Sequence, residues 1–251
     1  MAQAVTREAA RGRHHDYVLP NGTRIALDTY LGKNLVSLAS EGGEAPQTPG
    51  AGVTYPMAYL VQQWADSEIQ AHYHQADQFQ LFVQGAGRIG THALQGMTIH
   101  YANSLSPYGP IVSEGEGLQY LTFRNRWDPG AQWMPEKAQR LRDTPDRRHF
   151  TESHDIDAAP AGQAWRELLP ETLPGLGAWL VHAGPDGVVR GREPSQGAGQ
   201  FWYSLQGEMA IDGRVLGPNS VVFVAPDEPA LEARGVGEGA TLVVMQFPRS
   251  S

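Results

Sequence analysis

The stretch His72-Tyr73-His74-Gln75-Ala76-Asp77-Gln78-Phe79-Gln80-Leu81-Phe82-Val83-Gln84-Gly85 decides how the rest of the chain is read. Side chains alternate faces along a strand, so two histidines two residues apart face the same way only on extended backbone. The polar Gln75-Ala76-Asp77 step is compatible with a turn. Phe79, Leu81 and Val83 then alternate with mostly polar neighbours, and Gly85 is expected to stop the strand. Two imidazoles on one sheet face, opening a hairpin, make the beginning of a metal site.

Outward from this stretch the rhythm stays β. Residues 55–65 alternate loosely and lead into the histidine pair, and short strands follow at 88–90, 97–101 and 118–124 with glycine punctuation. This spacing is that of a sandwich or barrel. Upstream, residues 1–16 read as a frayed or helical lead-in, with His14 and His15 solvated. Asn21-Gly22 between two short apolar runs marks a hairpin, and the Gly- and Pro-rich residues 41–52 read as a loop. From 127 to 162 the composition changes to prolines and mixed charges, with Asp128-Pro129-Gly130 at its start and room for a short helix within 136–142. That segment is expected to be a linker between domains at 1–126 and 163–251.

The second half resumes strands near 179–182, 201–205, 209–211, 221–224 and 242–247. It also repeats the first at a constant offset. Gln78-Phe79 matches Gln200-Phe201, Gln84-Gly85 matches Gln206-Gly207, Ile89 matches Ile211 and Leu94 matches Leu216. A shared register across a glycine and two strands points to duplication.

The bulk composition sets limits. A chain of 251 residues with 41% hydrophobic and 18% charged residues can bury a sizeable core, and 29 glycines with 18 prolines favour turns and short strands over long helices. The net charge of −8 and the lack of a concentrated basic face argue against nucleic acid as a partner. Without cysteine there are no disulfides, thiolate metal sites or thiol nucleophiles. No apolar run reaches the ~20 residues of a membrane span, and the polar first 13 residues hold no signal-like apolar core. A cytoplasmic protein is the expectation. Phosphate-loop, dinucleotide and nucleophile-elbow motifs are missing, and Gly85-Ala86-Gly87 and Gly235-Val236-Gly237-Glu238-Gly239 read as hairpin glycines.

A duplicated, glycine-rich, all-β chain with this motif resembles the cupin superfamily, and specifically a two-domain bicupin. Cupins carry a glycine, five residues, His-x-His, three or four residues, Glu, six residues and Gly. Here His72, His74, Gln78 and Gly85 stand at those spacings, with glutamine for glutamate and Asp66 at the leading glycine. The second cupin motif falls between Gly96 and Val112, where Pro107-Tyr108-Gly109 stands and no histidine occupies the ligand position.

The resemblance implies two tandem jelly-roll barrels and a divalent metal, Fe(II) before Mn, Ni or Zn. Its ligands would be His72 and His74, with Gln78 in the carboxylate position. A third nitrogen donor is then needed, and His100, in the apolar run after Gly96, is the candidate, the alternative being a hydrogen-bonded wall residue. His92, at a hairpin end, reads instead as a solvated turn residue. Tyr108, Arg124, Gln80 and Tyr120 sit at strand positions able to point inward, and Arg124 suits a carboxylate or enolate oxygen. Cupins with neutral ligand sets resemble dioxygenases that cleave carbon–carbon bonds, so a non-haem iron oxygenase acting on a small organic substrate is the first expectation. A metal-free binding protein, isomerase or lyase with His72 or His74 as general base is the second. A storage or scaffold protein with a vestigial site is the third. In the second half, Pro194, Gln196 and Gln200 replace the ligands, so that barrel is expected to serve packing. A homodimer is the assembly the resemblance implies.

Overall fold

The computed structural model describes residues 2–33, 49–50, 52–141, 146–156 and 165–249. The 41–52 loop falls almost entirely outside them. The elements are, in order, β1 (Gln3–Val5), α1 (Arg7–Arg11), β2 (His14–Val18), β3 (Arg24–Leu31), β4 (Met57–Gln63), β5 (Glu68–Ile69), β6 (His72–Tyr73), β7 (Gln78–Ile89), β8 (His92–Leu94), β9 (Met97–Ala102), β10 (Ile111–Arg124), β11 (Gln132–Trp133), β12 (His149–His154), β13 (Trp165–Leu169), β14 (Gly177–Ala183), β15 (Val188–Arg190), β16 (Gln200–Ile211), β17 (Arg214–Leu216), β18 (Val221–Val224) and β19 (Glu232–Gln246). They form two compact units, one of Gly12–Asp155 and one of Ile156–Ser251 joined by Met1–Arg11.

In the Gly12–Asp155 unit the main sheet runs β12-β9-β7-β10-β4-β3-β2, with β5 on β10, β8 on β7 and a separate β6–β11 pair. The stretch expected to link two domains is largely part of this unit. Residues 149–154 pair with β9, residues 132–133 pair with the histidine strand, and Ala138–Leu141 is a 3₁₀ turn rather than an α-helix. Pro129 and Pro135, two of the prolines that suggested a linker, flank the short β11 here.

The strand after the histidines does not stop at Gly85. β7 continues to Ile89, and the register against β10 shifts between Glu114 and Leu118, so Gly115, Glu116 and Gly117 bulge out of the ladder. Gly85 has φ 95° and lies against the Gly117 carbonyl, so it is a bulge residue rather than a hairpin glycine. The matching glycines of β16 and β19 repeat the arrangement, with Gly207 against the Gly239 carbonyl. The Asn21-Gly22 hairpin does form, but across a longer loop in which the Leu19 amide donates to the Thr23 carbonyl.

The alternation along β7 has an unexpected sense. Phe79 and Leu81 are fully buried on one face, while Gln78, Gln80 and Phe82 are buried on the other, which faces the barrel interior. Polar residues therefore point inward at one end of the barrel, and this positions the site.

The second unit orders its sheet β1-β18-β16-β19-β14-β13. Its interior is filled by Trp179, Trp202, Val181, Met209, Leu242 and Val244 with their neighbours, with Trp165 packed on them. The side chains of Gln200 and Gln246 are closed into bonds with each other, Trp202 and backbone carbonyls.

The lead-in is a strand of this unit, with Gln3, Ala4 and Val5 opposite Phe223, Val222 and Val221. Deleting residues 1–6 would uncover the edge of β18, whose four residues are buried. The deletion is expected to lower the melting temperature of this unit by about 4–8 °C, the shift that ~1 kcal/mol produces in a domain of this size. Calorimetry with limited proteolysis mapped to residues 156–251 would measure it, and an unchanged transition would show that β1 contributes nothing.

Candidate active site

The Gly12–Asp155 barrel encloses a cavity of about 350 Å³. His72 and His74 line it together with Tyr108, Arg124, Gln80, Thr122, Tyr59 and Trp133, and Ile25, Leu27, Val61, Ile69 and Tyr120 supply apolar wall. The two histidines share the cavity because β6 is extended, and their rings lie 5.2 Å apart, nearly perpendicular.

Hydrogen bonds fix the tautomer of each ring. His72 Nδ1 lies 2.7 Å from the Gln70 carbonyl oxygen, which only accepts, so Nδ1 carries the proton and Nε2 the lone pair. The Tyr108 hydroxyl donates to that Nε2 at 2.8 Å. His74 Nδ1 donates to Asp128 Oδ1 at 2.7 Å, leaving its Nε2 as the nitrogen available to the cavity. Asp128 is itself held by the Gly130 amide at 2.8 Å on Oδ1 and the Gln75 amide at 2.7 Å on Oδ2.

Burial pushes the His72 imidazole down to about 3, with His74 and Arg124 adding to the effect. Burial and Arg124 also depress His74, against the opposing pull of Asp128. Both rings are neutral at neutral pH. Burial alone would raise the Asp128 carboxyl, but His74 and Arg124 outweigh it and keep the group ionised. Burial raises the Tyr108 phenol, so it remains a donor.

Gln78 and His100 do not join the pair in the way the resemblance implies. Gln78 Oε1 accepts from Arg124 Nε at 3.2 Å and Nη2 at 2.9 Å, so its carbonyl is already engaged by a cation. His100 is buried in β9 opposite Gln80, its ring 5.0 Å from that of Tyr108 and its Nδ1 2.8 Å from Thr151 Oγ1. His92 lies at the start of β8 with Nε2 3.0 Å from Ser153 Oγ. His14, expected to be solvated, pairs with Asp28 at 2.6 Å. Among the described residues no group of three or more His, Cys, Asp or Glu is placed to hold a metal ion.

The nitrogens that could hold a divalent ion are therefore His74 Nε2 and, in exchange for its bond from the Tyr108 hydroxyl, His72 Nε2. Each Nδ1–H is anchored by an outer acceptor, as metal-bound histidines require. Sequence reading missed Asp128, which stands 54 residues from its histidine and was placed at the start of the linker. It also missed Tyr59, bonded to Arg124 Nη1, and Trp133, whose ring is 5.2 Å from His72. Spacing carries no signal for any of the three.

His72 and His100 both sit near 3, below the ~6.5 of an unfolded histidine. The unfolded chain therefore binds more protons between these values, and stability rises with pH across that window. The stabilisation is complete above about pH 6.5 and is lost as pH falls toward 3. In metal-free protein, His100→Gln is expected to flatten the acid limb of unfolding free energy against pH by up to ~1.4 kcal/mol per pH unit. Denaturant titrations between pH 4 and 7 would check it, and an unaltered slope would refute it.

No family model and no curated protein matches the sequence. Solved structures do resemble it. A candidate dioxygenase from Nostoc punctiforme superposes with a TM-score of 0.66 at 14% identity, over 98% of this chain and 82% of that one. A bacterial pirin from Escherichia coli in complex with nickel(II) gives 0.60 at 9% identity, over 99% and 100%. Oxalate decarboxylase of Bacillus subtilis, studied for its Mn(II) centres, gives 0.52 at 12% identity, over 96% and 77%. These are cupin-type structures, and the likeness shows the fold: an all-β chain with the jelly-roll fold those structures share. No helix among the described residues is long and apolar enough to cross a membrane.

Proposed function

We propose that this bicupin is a metal-dependent enzyme acting on a small organic substrate in the cavity of its first barrel, with oxygenase chemistry as the finer reading. The observation that carries it is the pair His72 and His74, each with Nδ1 held from outside, with His74 Nε2 left for the cavity side and His72 Nε2 turned to the Tyr108 hydroxyl, which a bound ion would displace. The cupin structures bound to nickel or studied for manganese support a metal of this class. Neutral imidazoles suit Fe, Ni, Mn or Zn, and Fe(II) is the ion consistent with an oxygenase.

A bound ion would supply Lewis acidity and, if redox-active, the one-electron chemistry that dioxygen needs. The chain's own residues do the rest. Asp128 fixes the His74 tautomer, Tyr108 offers a proton at its hydroxyl, and Arg124 presents positive charge to a substrate oxygen. The apolar wall limits the water around them. The substrate is a small molecule, and the homodimer implied by resemblance is a matter for light scattering.

A second reading is favoured by the His74–Asp128 pair itself. An imidazole held by a buried carboxylate is also a general base, and an isomerase or lyase would need no metal. Elemental analysis after reconstitution with iron or manganese separates the two readings. Stoichiometric metal in the wild type and none in the double variant His72→Ala/His74→Ala is expected. A wild-type protein that takes up no metal would remove the first reading in favour of the second.

A further inference from the structure

The two barrels are built on one register, so each is a control for the other. At the constant offset, Gln78 corresponds to Gln200, Gln80 to Trp202, Thr122 to Val244 and Arg124 to Gln246. The side-chain bond across the strands is kept. In the first barrel Arg124 donates to Gln78 Oε1, and in the second Gln200 Nε2 donates to Gln246 Oε1 at 2.8 Å. The scaffold therefore closes this position with a neutral glutamine. A buried guanidinium is not required by the fold, and burying one is costly unless something offsets its charge.

Among the described residues no carboxylate is hydrogen-bonded to it. The guanidinium is 2% exposed, and its hydrogen-bond partners, Gln78 and Tyr59, are neutral. Asp128 is the carboxylate whose field reaches it, but the Asp128 oxygens accept from His74, Gln75 and Gly130. Of the five guanidinium N–H groups, the bonds to Gln78 and Tyr59 use three and leave one on each terminal nitrogen for a ligand. Arg124 lines the cavity.

Cross-strand register then gives the cavity a polarity gradient. Arg124 and Gln78 stand at one end. The next row, Tyr59–Thr122–Gln80–His100, is polar. The row beyond, Leu27–Val61–Tyr120–Phe82, is apolar, with Ile25 one step further. In the second barrel Trp202 occupies the Gln80 position and belongs to a filled core.

We propose that the ligand of the first barrel is a small carboxylate with an apolar tail, its carboxylate on Arg124 and its tail along Leu27, Val61 and Tyr120. This rests on the reading above only in taking this cavity as the substrate site. A cavity of about 350 Å³ suits a single ring or a short chain.

The test uses chelator-treated, full-length protein and three probes: phenylacetate, its neutral isostere phenylacetamide, and acetate. By calorimetric titration, phenylacetate is expected to bind at least ~10-fold more tightly than either of the others, because only it satisfies both ends. Arg124→Gln, which installs the side chain that the second barrel carries there, should bring phenylacetate down to the level of the amide with the circular dichroism spectrum unchanged. Gln80→Trp should abolish binding of all three by filling the cavity as Trp202 does. Equal binding of acid and amide, no binding of phenylacetate, or phenylacetate affinity that stays at the wild-type level in either variant would overturn the proposal. Metal is absent throughout, so this result stands or falls separately from metal uptake by His72 and His74.

Discussion

Asp128→Asn is expected to weaken divalent-metal affinity by about 10–100-fold, the usual cost of losing an outer-shell partner of a ligating histidine, and to lower unfolding free energy by about 2–4 kcal/mol. The reason is a count of acceptors. Three donors converge on Asp128: His74 Nδ1–H, the Gly130 amide and the Gln75 amide. A carboxylate accepts from all of them, whereas an amide has one acceptor oxygen and sets N–H groups against whatever remains. If the amide nitrogen turns toward His74, the ring must shift its proton to Nε2, the atom left for the cavity. If it turns toward Gln75, a buried backbone donor loses its partner. Nitrogen-15 shifts of the His74 ring, read beside metal titration, separate these outcomes. A variant with wild-type metal affinity and an unmoved tautomer would show that Asp128 does not orient His74.

Gly85→Ala is expected to destabilise the first barrel by about 3 kcal/mol or more. A Cβ at this position would lie 1.9 Å from the Gly117 carbonyl oxygen, on backbone already at φ 95°. The contact is with main chain, which has no rotamer by which to retreat. Gly115→Ala isolates the backbone term, since Gly115 has φ 59° but open space where its Cβ would go. That control should lose only ~1 kcal/mol. Chemical denaturation of both variants measures the difference. Equal losses would mean that the close approach of the two bulged strands costs nothing, and that the glycine serves φ alone.

Much of this protein was legible in the sequence because the signals were local. His72 and His74 on one face of an extended segment, the repeated glutamine-then-glycine spacing and the missing cysteines depend only on neighbours along the chain. The inward placement of Arg124, Gln80 and Tyr120 also followed from strand alternation, whereas Tyr108 lies between β9 and β10 and lines the cavity beside its bridge partner His72. Other expectations failed where the same local signal serves two structures. Glycines at 85 and 87 look alike at a hairpin and at a bulge, and only the partner strand distinguishes them. The prolines after Asp128 look alike in a linker and in a set of short edge strands.

The sequence by itself determined the all-β class, the duplication and the two histidines, since a period of two and a fixed spacing are properties of the chain alone. Tertiary structure alone decided what those histidines can do. Whether Gln78 is a ligand depends on Arg124, 46 residues away, whose guanidinium takes its carbonyl. Whether His74 offers a lone pair depends on Asp128, 54 residues away, which holds the opposite proton. Hydrogen bonds act over about 3 Å of space, and the pairing that brings those groups together is set by how the strands register, which no spacing within the motif records.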